Sequence, residues 1–444
     1  MLNNLKKIFK QKYIFKILLV LIIFGLFFSI FSFIFLSKSK LILTLIVLTV
    51  FIISFKRIKL GVYLVAFLTP LIIRDRFNIW TANFSVSELV LLVVLFNWIL
   101  FILINKKFKF KKTKLDLPIL IFTMLTAISF LISLRYINAP LEFATSASNL
   151  YPVKVLLNTF EYLLFFYLII NVLAKKDIKK VIYISLTSLL TVSLFGVYQY
   201  NRVFSLTHFL GFENYIRVTS TLDIDNFLGM YLILFIPLVF YFVKKYHHQI
   251  LIGFPALLCL FYSGSRGAFY SFFGSLLITF RKNKRNIILV CVVAILLIST
   301  FFILLSKNNL VVNRIYNLDD DGRIDLFKIS LTAIMKNPMG IGLGAFRLNG
   351  IFGNYHHSHN IYFQIALERG ILALIAFLWI LFIFFKENIT TKIKNYRLSN
   401  IRLALVTGII AILLYGLVDY PFYNQRIAVL FWMVIGLVIV INQR

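Results

Sequence analysis

The chain has 444 residues, of which 61% are hydrophobic and only 14% are charged, whereas an ordinary soluble domain is about 45–50% apolar and about 25% charged. This composition excludes a soluble globular protein and predicts an all-α polytopic membrane protein, with residues 1–444 forming a single integral membrane domain. The net charge of +31 would indicate nucleic acid in a soluble protein, but here short basic clusters alternate with apolar runs, so no nucleic-acid partner is expected.

Apolar runs long enough to cross a bilayer follow one another along the whole chain. A lysine cluster at 6–12 precedes a run that continues to about Leu36, too long for a signal-peptide core, so the run is interpreted as a retained first membrane helix. The second, third and ninth runs are short, so the pattern predicts 12–14 spans. The candidate spans are roughly 14–36, 41–55, 59–73, 84–104, 115–134, 153–173, 179–200, 224–243, 249–263, 265–281, 286–305, 361–385, 399–418 and 424–441.

Charged residues are distributed unequally over the connecting segments. With a cytoplasmic N-terminus and alternating spans, the greater part of the 47 lysines and arginines falls on the cytoplasmic side, in short loops such as 105–114 and 281–285. Most of the 16 acidic residues fall on the opposite side. The pattern therefore predicts that both termini are cytoplasmic and that the outer surface is polar and suited to a polar ligand.

The longest connection is 306–360, which this topology places outside the cytoplasm. A connection of this length is usually functional or disordered, and its composition is not that of a disordered segment. Residues 324–335 have an apolar face that includes Leu326, Ile329 and Ile334, which predicts a short helix at the membrane surface, ended by Pro338. The GIGLGAF segment that follows lacks the strand and the Lys-Ser/Thr of a nucleotide-binding loop, so its glycines are expected to shape the connection.

Three histidines lie together before the twelfth candidate span. His356, His357 and His359 could indicate a metal site, but neighbouring side chains in one short segment rarely converge on one ion, so a metal is disfavoured. One histidine acting as a base or hydrogen-bond donor is the more specific hypothesis. The alternative is a plain polar connection in which Asn360 caps the following helix.

Four arginines stand on the outer side at span ends or in the long connection: Arg217, Arg266, Arg323 and Arg347. An arginine at membrane depth usually has a partner or a function, and its guanidinium is the preferred fork for phosphate oxygens. Several arginines converging just outside a bilayer would suit a lipid diphosphate. For each arginine taken alone, an interfacial anchor is the alternative.

Three further features have a structural explanation. Cys259 and Cys291 lie inside apolar runs, which disfavours a disulfide framework or a cysteine metal site. The NLDDDGRID segment departs from a calcium loop because Arg323 occupies a ligand position, so a solvated turn is favoured. Glu161 lies deep in a span; an acid there is by default a functional hypothesis, and pairing with a polar group of another helix is the alternative.

Four segments between 217 and 372 form a recognisable pattern. They are RVTSTLDIDNFLGMYL at 217–232, SGSRGA at 263–268, GRIDLFKISLTAIMKNPMGIGLGAF at 322–346 and HNIYFQIALERGIL at 359–372. In this order, the segments resemble the O-antigen ligase and O-antigen polymerase superfamily of membrane glycosyltransferases. Weaker agreement with the superfamily extends to Asp419. Ala373 departs from the ligase pattern, and this departure slightly favours the polymerase over the ligase.

The resemblance implies an inverting glycosyl transfer that needs no metal ion and no cofactor. The donor would be an oligosaccharide on undecaprenyl diphosphate and the acceptor a glycan or glycolipid, at the outer face of the bacterial cytoplasmic (inner) membrane. The resemblance makes His359 the base, and arginines stabilise the charge of the diphosphate. The arginines implied are Arg217, Arg266 and Arg323, and the possible supporting residues are Asn226, His356, Asn360 and Asp419.

A transporter or flippase of lipid-linked glycans is the alternative function. Such proteins usually have polar groups near the bilayer midplane, whereas here arginines and histidines concentrate at one face, which favours an enzyme. A scaffolding membrane protein would need neither the clustered arginines nor the clustered histidines. The choice between ligase and polymerase, the glycan and the acceptor stay open at this point.

Overall fold

The computed structural model describes most of the chain as a bundle of α-helices. The described residues are 38–71, 76–79, 82–105, 108–137, 150–209, 217–243, 245–280, 322–348, 352 and 355–443. Eight helices in these ranges are long and apolar enough to cross a membrane, which confirms the predicted polytopic helical class. The candidate spans 14–36 and 286–305 lie outside the described residues, so 12–14 spans stays a prediction.

The described ranges contain fourteen α-helices. They are α1 (Lys38–Lys56), α2 (Ile58–Leu68), α3 (Val86–Ile104), α4 (Asp116–Ile137), α5 (Tyr151–Val172), α6 (Lys175–Phe209), α7 (Asp225–Phe242), α8 (Tyr246–Tyr262), α9 (Arg266–Phe280), α10 (Arg323–Lys336), α11 (Ile361–Arg369), α12 (Ile371–Thr390), α13 (Tyr396–Tyr415) and α14 (Gln425–Asn442). Two short 3₁₀ turns cover Ala345–Arg347 and Pro421–Tyr423. Most helices match a candidate span to within a few residues.

Two helices differ in length from their candidate spans. The third candidate, 59–73, corresponds to α2, whose 11 residues reach about 16 Å at 1.5 Å per residue, well short of the roughly 30 Å of a bilayer core. The seventh candidate, 179–200, is the 35-residue helix α6, because its polar ends continue the helix beyond the apolar stretch. Hydropathy therefore located both elements but not their lengths.

A short antiparallel hairpin leads into α3. Strands β1 (Arg76–Ile79) and β2 (Ala82–Ser85) pair with Arg76 opposite Ser85 and Ile79 opposite Ala82. Ser85 then caps α3, because its hydroxyl accepts from the amide of Glu88 while the Glu88 carboxylate accepts from the amide of Ser85. The predicted all-α architecture did not include this hairpin.

Helix α14 is the centre of the bundle, with nearly all of its residues buried. It packs on α5, and α7 packs on α13. A Cβ at Gly408 would overlap the carbonyl oxygen of Leu234 on α7, so glycine lets the two backbones approach closely. Since the hydrophobic effect does not hold helices together inside a bilayer, close packing of this kind stabilises the bundle.

The predicted twelfth span, 361–385, was wrong as a continuous helix, because the chain breaks at Gly370 into α11 and α12. Gly370 has φ +89°, and a Cβ there would lie 2.8 Å from the carbonyl carbon of Met339. The amide of Ile371 donates to the carbonyl of Pro338 at 2.9 Å. The backbone of the preceding connection thus occupies the space where a continuous helix would pass.

The predicted helix of the long connection is present as α10. It begins after Gly322 (φ +74°) and ends just before Pro338. Leu326 and Ile334 are buried, whereas Ile329, which was predicted on the same face, is 41% exposed. The glycine-rich segment that follows is ordered, because the amide of Ile341 donates to the carbonyl of Leu367 on α11 at 2.8 Å.

Candidate active site

Asp419 lies in the connection between α13 and α14, and its carboxylate is buried. Oδ1 accepts from the amide of Tyr420 at 2.8 Å and from Nδ1 of His359 at 3.2 Å. Oδ2 accepts from Nδ2 of Asn226 and from the hydroxyl of Tyr415, both at 3.1 Å. Burial raises the pKa of this carboxyl, but the hydrogen bonds from the His359 side chain and from the amide of Tyr420 help to hold the pKa well below its usual range.

His359 immediately precedes the N-cap of α11 and has φ +48°, a backbone conformation that non-glycine residues seldom adopt outside constrained sites. Asn360 fixes the turn, because its Oδ1 accepts from the amides of Tyr362 and Phe363 at 2.9 and 3.0 Å. An ionised carboxylate only accepts hydrogen bonds, so His359 carries its proton on Nδ1, facing Asp419. In the neutral imidazole with this tautomer, Nε2 has the lone pair that can take a proton.

The exposure of these two side chains differs in the way a base and its orienting acid require. The His359 side chain is 24% exposed, whereas that of Asp419 is 5% exposed. A substrate can therefore reach the imidazole, while the carboxylate behind it is shielded from water. This arrangement matches the general pattern in which a buried acid orients a histidine base.

The rings of His357 and His359 lie 4.2 Å apart, although neighbouring side chains in one short segment were not expected to converge. Nδ1 of His357 accepts from the amide of His359 at 3.3 Å and thereby supports the left-handed turn. Burial lowers the pKa of His357 to about 3 despite the nearby Asp419 carboxylate, so the ring is neutral. His357, His359 and Asp419 are referred to below as the His–Asp cluster.

The His–Asp cluster offers three ligand atoms within 4.8 Å of one another, a spacing that could hold a metal ion. The hydrogen bonds argue for a different use of these atoms. Nδ1 of His357 is occupied by the amide of His359 and Nδ1 of His359 faces Asp419, while the carboxylate already accepts four hydrogen bonds. The donor set therefore fits a hydrogen-bonded base better than a metal centre.

Arg217 joins this network through Asn226. Its Nη2 donates to Oδ1 of Asn226 at 3.0 Å, and Nδ2 of the same amide donates to Asp419. Nε lies 2.6 Å from Oδ2 of Asp225 and donates to the carbonyl of Ser263 at 3.0 Å. A continuous path of polar contacts thus runs from Arg217 to His359.

Of the other two predicted arginines, Arg323 contacts the connection after α13, and Arg266 is next to a glycine that packs against it. Arg323, the first residue of α10, donates from Nη1 to the carbonyl of Val418 at 3.0 Å. Arg266 is the first residue of α9, and a Cβ on the adjacent Gly267 would lie 3.0 Å from the side chains of Tyr415 and Val418. Its own side chain lines a small groove of about 20 Å³ with Leu260, Phe261, Gly264, Ser265, Phe269 and Tyr270.

Residues 251–378 match the family model described as O-Antigen ligase. This matched segment is referred to below as the O-antigen ligase region. The match confirms the resemblance to the O-antigen ligase and polymerase superfamily and supports a membrane enzyme that acts on glycans. Comparison with curated proteins gives no match.

The O-antigen ligase region contains part of the site. Arg266, Arg323 and His359 lie within it, whereas Arg217 and Asn226 precede it and Asp419 follows it. The fold brings these residues, which lie outside the matched segment in sequence, next to it in space. Helix α7 packs on α13, and the connection after α13 meets the start of α11. The polar network is therefore assembled from both sides of the matched segment.

A polar cavity of about 270 Å³ lies beside the His–Asp cluster. Its described lining includes none of Arg217, Arg266, Arg323 and His359, but it does include His356. Burial lowers the pKa of His356, as do nearby Arg347 and His359. The lining residues are Ser85, Glu88, Tyr151, Lys154, Val155, Asn158, Thr159, Tyr162, Asp223, Ile224, Phe227, Arg347, His356, Gln364, Glu368, Arg369, Tyr420, Phe422, Tyr423, Asn424, Gln425 and Arg426.

Sequence reasoning missed the tyrosines of the site. Tyr415 lies four residues before Asp419 and donates to it, a spacing that brings side chains onto one face of a helical turn. That spacing was the available signal. Tyr423 packs its ring 4.7 Å from that of His357 and has no comparable signal, because the contact depends on how two connections meet.

Glu161 makes the structural pairing that was considered as the alternative to function. Its carboxylate accepts a hydrogen bond from the side chain of Gln425 at the start of α14. Helix α14 packs closely on α5, so this bond joins two central helices. A polar pair of this kind satisfies both groups away from water.

Proposed function

We propose that the protein is a membrane glycosyltransferase that transfers or polymerises an oligosaccharide from undecaprenyl diphosphate onto a sugar hydroxyl of a glycan or glycolipid. The reaction takes place at the outer face of the bacterial cytoplasmic membrane. The observation that carries the proposal is the 3.2 Å contact between His359 and Asp419, which lies in and beside an O-antigen ligase region. Arg217 and Arg323 contact the same network or connection, and Arg266 follows it closely in the fold through the adjacent Gly267.

The proposed step is a direct displacement at the anomeric carbon of the donor sugar. The acceptor oxygen forms a bond to this carbon from one face, while the bond to the diphosphate oxygen breaks on the opposite face. The electron pair leaves with the diphosphate, and the configuration of the carbon inverts. The proton of the acceptor hydroxyl passes to Nε2 of His359, which acts as a general base.

Asp419 supports the base without taking the proton itself. Its low pKa keeps it ionised, so its negative charge stabilises the imidazolium that forms when His359 accepts a proton. Asn226 and Tyr415 each donate a hydrogen bond to the carboxylate and hold it in place. A fixed carboxylate also keeps the Nδ1 proton of His359 on the side away from the substrate.

The arginines have the complementary role at the leaving group. Negative charge develops on the diphosphate as the sugar–oxygen bond breaks, and positioned cations stabilise that charge most effectively in a water-poor site. Arg217, Arg266 and Arg323 are proposed to supply these cations. Asp225, Asn226 and Ser263 all hold the guanidinium of Arg217.

The direct test is incubation of the purified protein with a lipid-linked oligosaccharide, with and without candidate acceptors. A ladder of products formed from the donor alone would identify a polymerase, and a single adduct that requires an acceptor would identify a ligase. The absence of any new glycosidic bond, together with movement of the lipid-linked glycan between the two faces of a vesicle, would contradict the proposal and indicate a flippase.

A further inference from the structure

The polar cavity beside the His–Asp cluster has the lining of a sugar-binding site. Its walls combine tyrosine rings with side-chain amides, and few purely aliphatic groups face it. Amides donate and accept hydrogen bonds at once, as sugar hydroxyls do, and aromatic rings provide broad apolar faces. The volume of about 270 Å³ is close to the lower end of the range for small-molecule sites.

The cavity adjoins the base that the proposed function requires. Tyr420 and Tyr423 line it, and their rings lie 6.0 and 4.7 Å from the ring of His357. His357 in turn contacts His359, and His356 faces the cavity directly. A glycan held here would therefore have its end near the His–Asp cluster, with His357 between it and the imidazole that takes the proton of the acceptor.

Four cationic side chains line the cavity, and three of them have an acidic neighbour. Nζ of Lys154 lies 3.9 Å from the Glu88 carboxylate, and Nη2 of Arg426 lies 3.6 Å from that of Asp223. The third, Arg369, is adjacent to Glu368 and interacts with its charge. In each of these three pairs the opposite charges compensate each other, so the pair offers no net charge to a ligand.

Arg347 is the exception among the residues that the structure describes, because no carboxylate of that set lies within ion-pairing distance of it. Its guanidinium lies over the ring of Tyr151 at 4.9 Å, and Nη1 donates to the hydroxyl of Tyr423 at 3.4 Å. Both contacts position the guanidinium at the cavity, and no carboxylate among the described residues compensates its charge. Further donors of the fork remain for a ligand.

Glu368, which lines the same cavity, is occupied elsewhere. Its carboxylate accepts hydrogen bonds from the amides of Gly344 and Phe346 and from the side chain of Gln364, in addition to its interaction with Arg369. These bonds anchor the segment that carries Arg347. Glu368 thus fixes the position of the arginine without neutralising it.

We infer that this cavity binds the acceptor glycan, that the glycan contains an acidic sugar, and that Arg347 binds the sugar carboxylate through a charge-assisted fork. The inference rests on the proposed function, because it assigns the cavity to the acceptor of that reaction. It names the substrate class as a glycan with a hexuronic acid near the reacting end. Arg347 is then a specificity-determining residue and takes no part in bond formation.

The test is the binding of two matched oligosaccharides to the full-length protein in nanodiscs, without a donor. One oligosaccharide contains a hexuronic acid and the other the corresponding neutral hexose. The wild type should bind the acidic oligosaccharide about 10-fold to 100-fold more tightly, as expected for one charge-assisted contact. Arg347→Gln should remove this preference while leaving the affinity for the neutral oligosaccharide nearly unchanged.

A matched control is available at the other end of the bundle. Arg397 makes the same two kinds of contact as Arg347, a cation–π contact with Phe242 at 5.0 Å and a hydrogen bond to the hydroxyl of Tyr183 at 3.3 Å. Arg397→Gln should therefore keep the full preference. Arg347→Lys retains the charge without the fork and should keep part of the preference, which also shows that the site is folded.

Equal affinity of the wild type for both oligosaccharides would overturn the inference, as would an equal loss for both in Arg347→Gln. Because no donor is present, the result does not depend on turnover. A preference that requires Arg347, in a protein that forms no glycosidic bond with lipid-linked donors, would support the acidic-glycan site and refute the proposed transfer reaction.

Discussion

Asp419→Asn would remove the charge behind His359 while keeping the size of the side chain. The Asn oxygen can replace Oδ1, which accepts from the amide of Tyr420 and from Nδ1 of His359. The Asn amide group must then replace Oδ2, which accepts from Asn226 and Tyr415. Two N–H donors would face each other there, so the site loses both a charge and a hydrogen bond.

The size of the effect follows from these contacts. One unsatisfied buried donor costs about 1–3 kcal/mol of stability, which the folded bundle can tolerate. The effect on transfer should be larger, because an imidazolium beside a neutral amide lacks its counter-charge. We expect a rate reduction of roughly 10²–10⁴-fold, the typical contribution of a general base, or about 3–5 kcal/mol of activation free energy.

The assay is the initial rate of glycosidic bond formation from a lipid-linked oligosaccharide, with thermal unfolding of each preparation measured in parallel. The Asp419→Asn protein should be folded and nearly inactive, with its binding of the acceptor glycan retained. A folded variant that keeps more than about one tenth of the wild-type rate would refute the role assigned to the carboxylate.

Three further predictions concern the fold, the buried histidine and the topology. Gly408→Ala should destabilise the protein by about 1–3 kcal/mol because its Cβ meets a facing backbone, whereas Gly253→Ala, whose Cβ has only an ordinary contact, should not; thermal unfolding distinguishes them. Because the pKa of His357 is about 3 in the folded state and about 6.5 unfolded, the unfolded chain binds the proton first. The His357 contribution to stability should fall by about 1.4 kcal/mol per pH unit between about pH 6.5 and pH 3, and His357→Gln should lessen that slope. A reporter fused after Lys112 should lie in the cytoplasm and one near Asn349 outside; the same side for both would contradict the topology.

Hydropathy was sufficient to locate the membrane helices, because a run of apolar residues near 20 long has one stable form in a bilayer. Local signals also located α10 between Gly322 and Pro338, and Asn360 as a helix cap. Each of these features depends on residues close in sequence. Their physical causes are therefore visible in the sequence itself.

The break at Gly370 could not be predicted in the same way. The run from 361 to 385 was predicted as one helix. Its interruption at Gly370 depends on the backbone of Met339, which lies 31 residues earlier in the chain. Only the packing of two connections shows that this backbone needs the space. The same reasoning applies to α2, which hydropathy alone made longer than it is.

The sequence predicted which residues form the site more fully than it predicted how they are arranged in space. His359 and Asp419 are 60 residues apart in sequence, and their contact follows from the packing of α11 beside the end of α13. Arg323 and Arg347 both belong to the long connection 306–360, yet one contacts Val418 and the other faces the cavity. The direction of a long side chain depends on tertiary contacts, which spacing does not encode.

The central claim is that His359 removes the proton of the acceptor hydroxyl, and the rate of glycosyl transfer by His359→Ala tests it most directly. The control is His247→Ala, which changes a histidine on the exposed first turn of α8. The account predicts that His359→Ala loses roughly 10²–10⁴-fold in rate while remaining folded and able to bind the donor, and that the control keeps the wild-type rate. A folded His359→Ala protein with a near-normal rate would contradict the account.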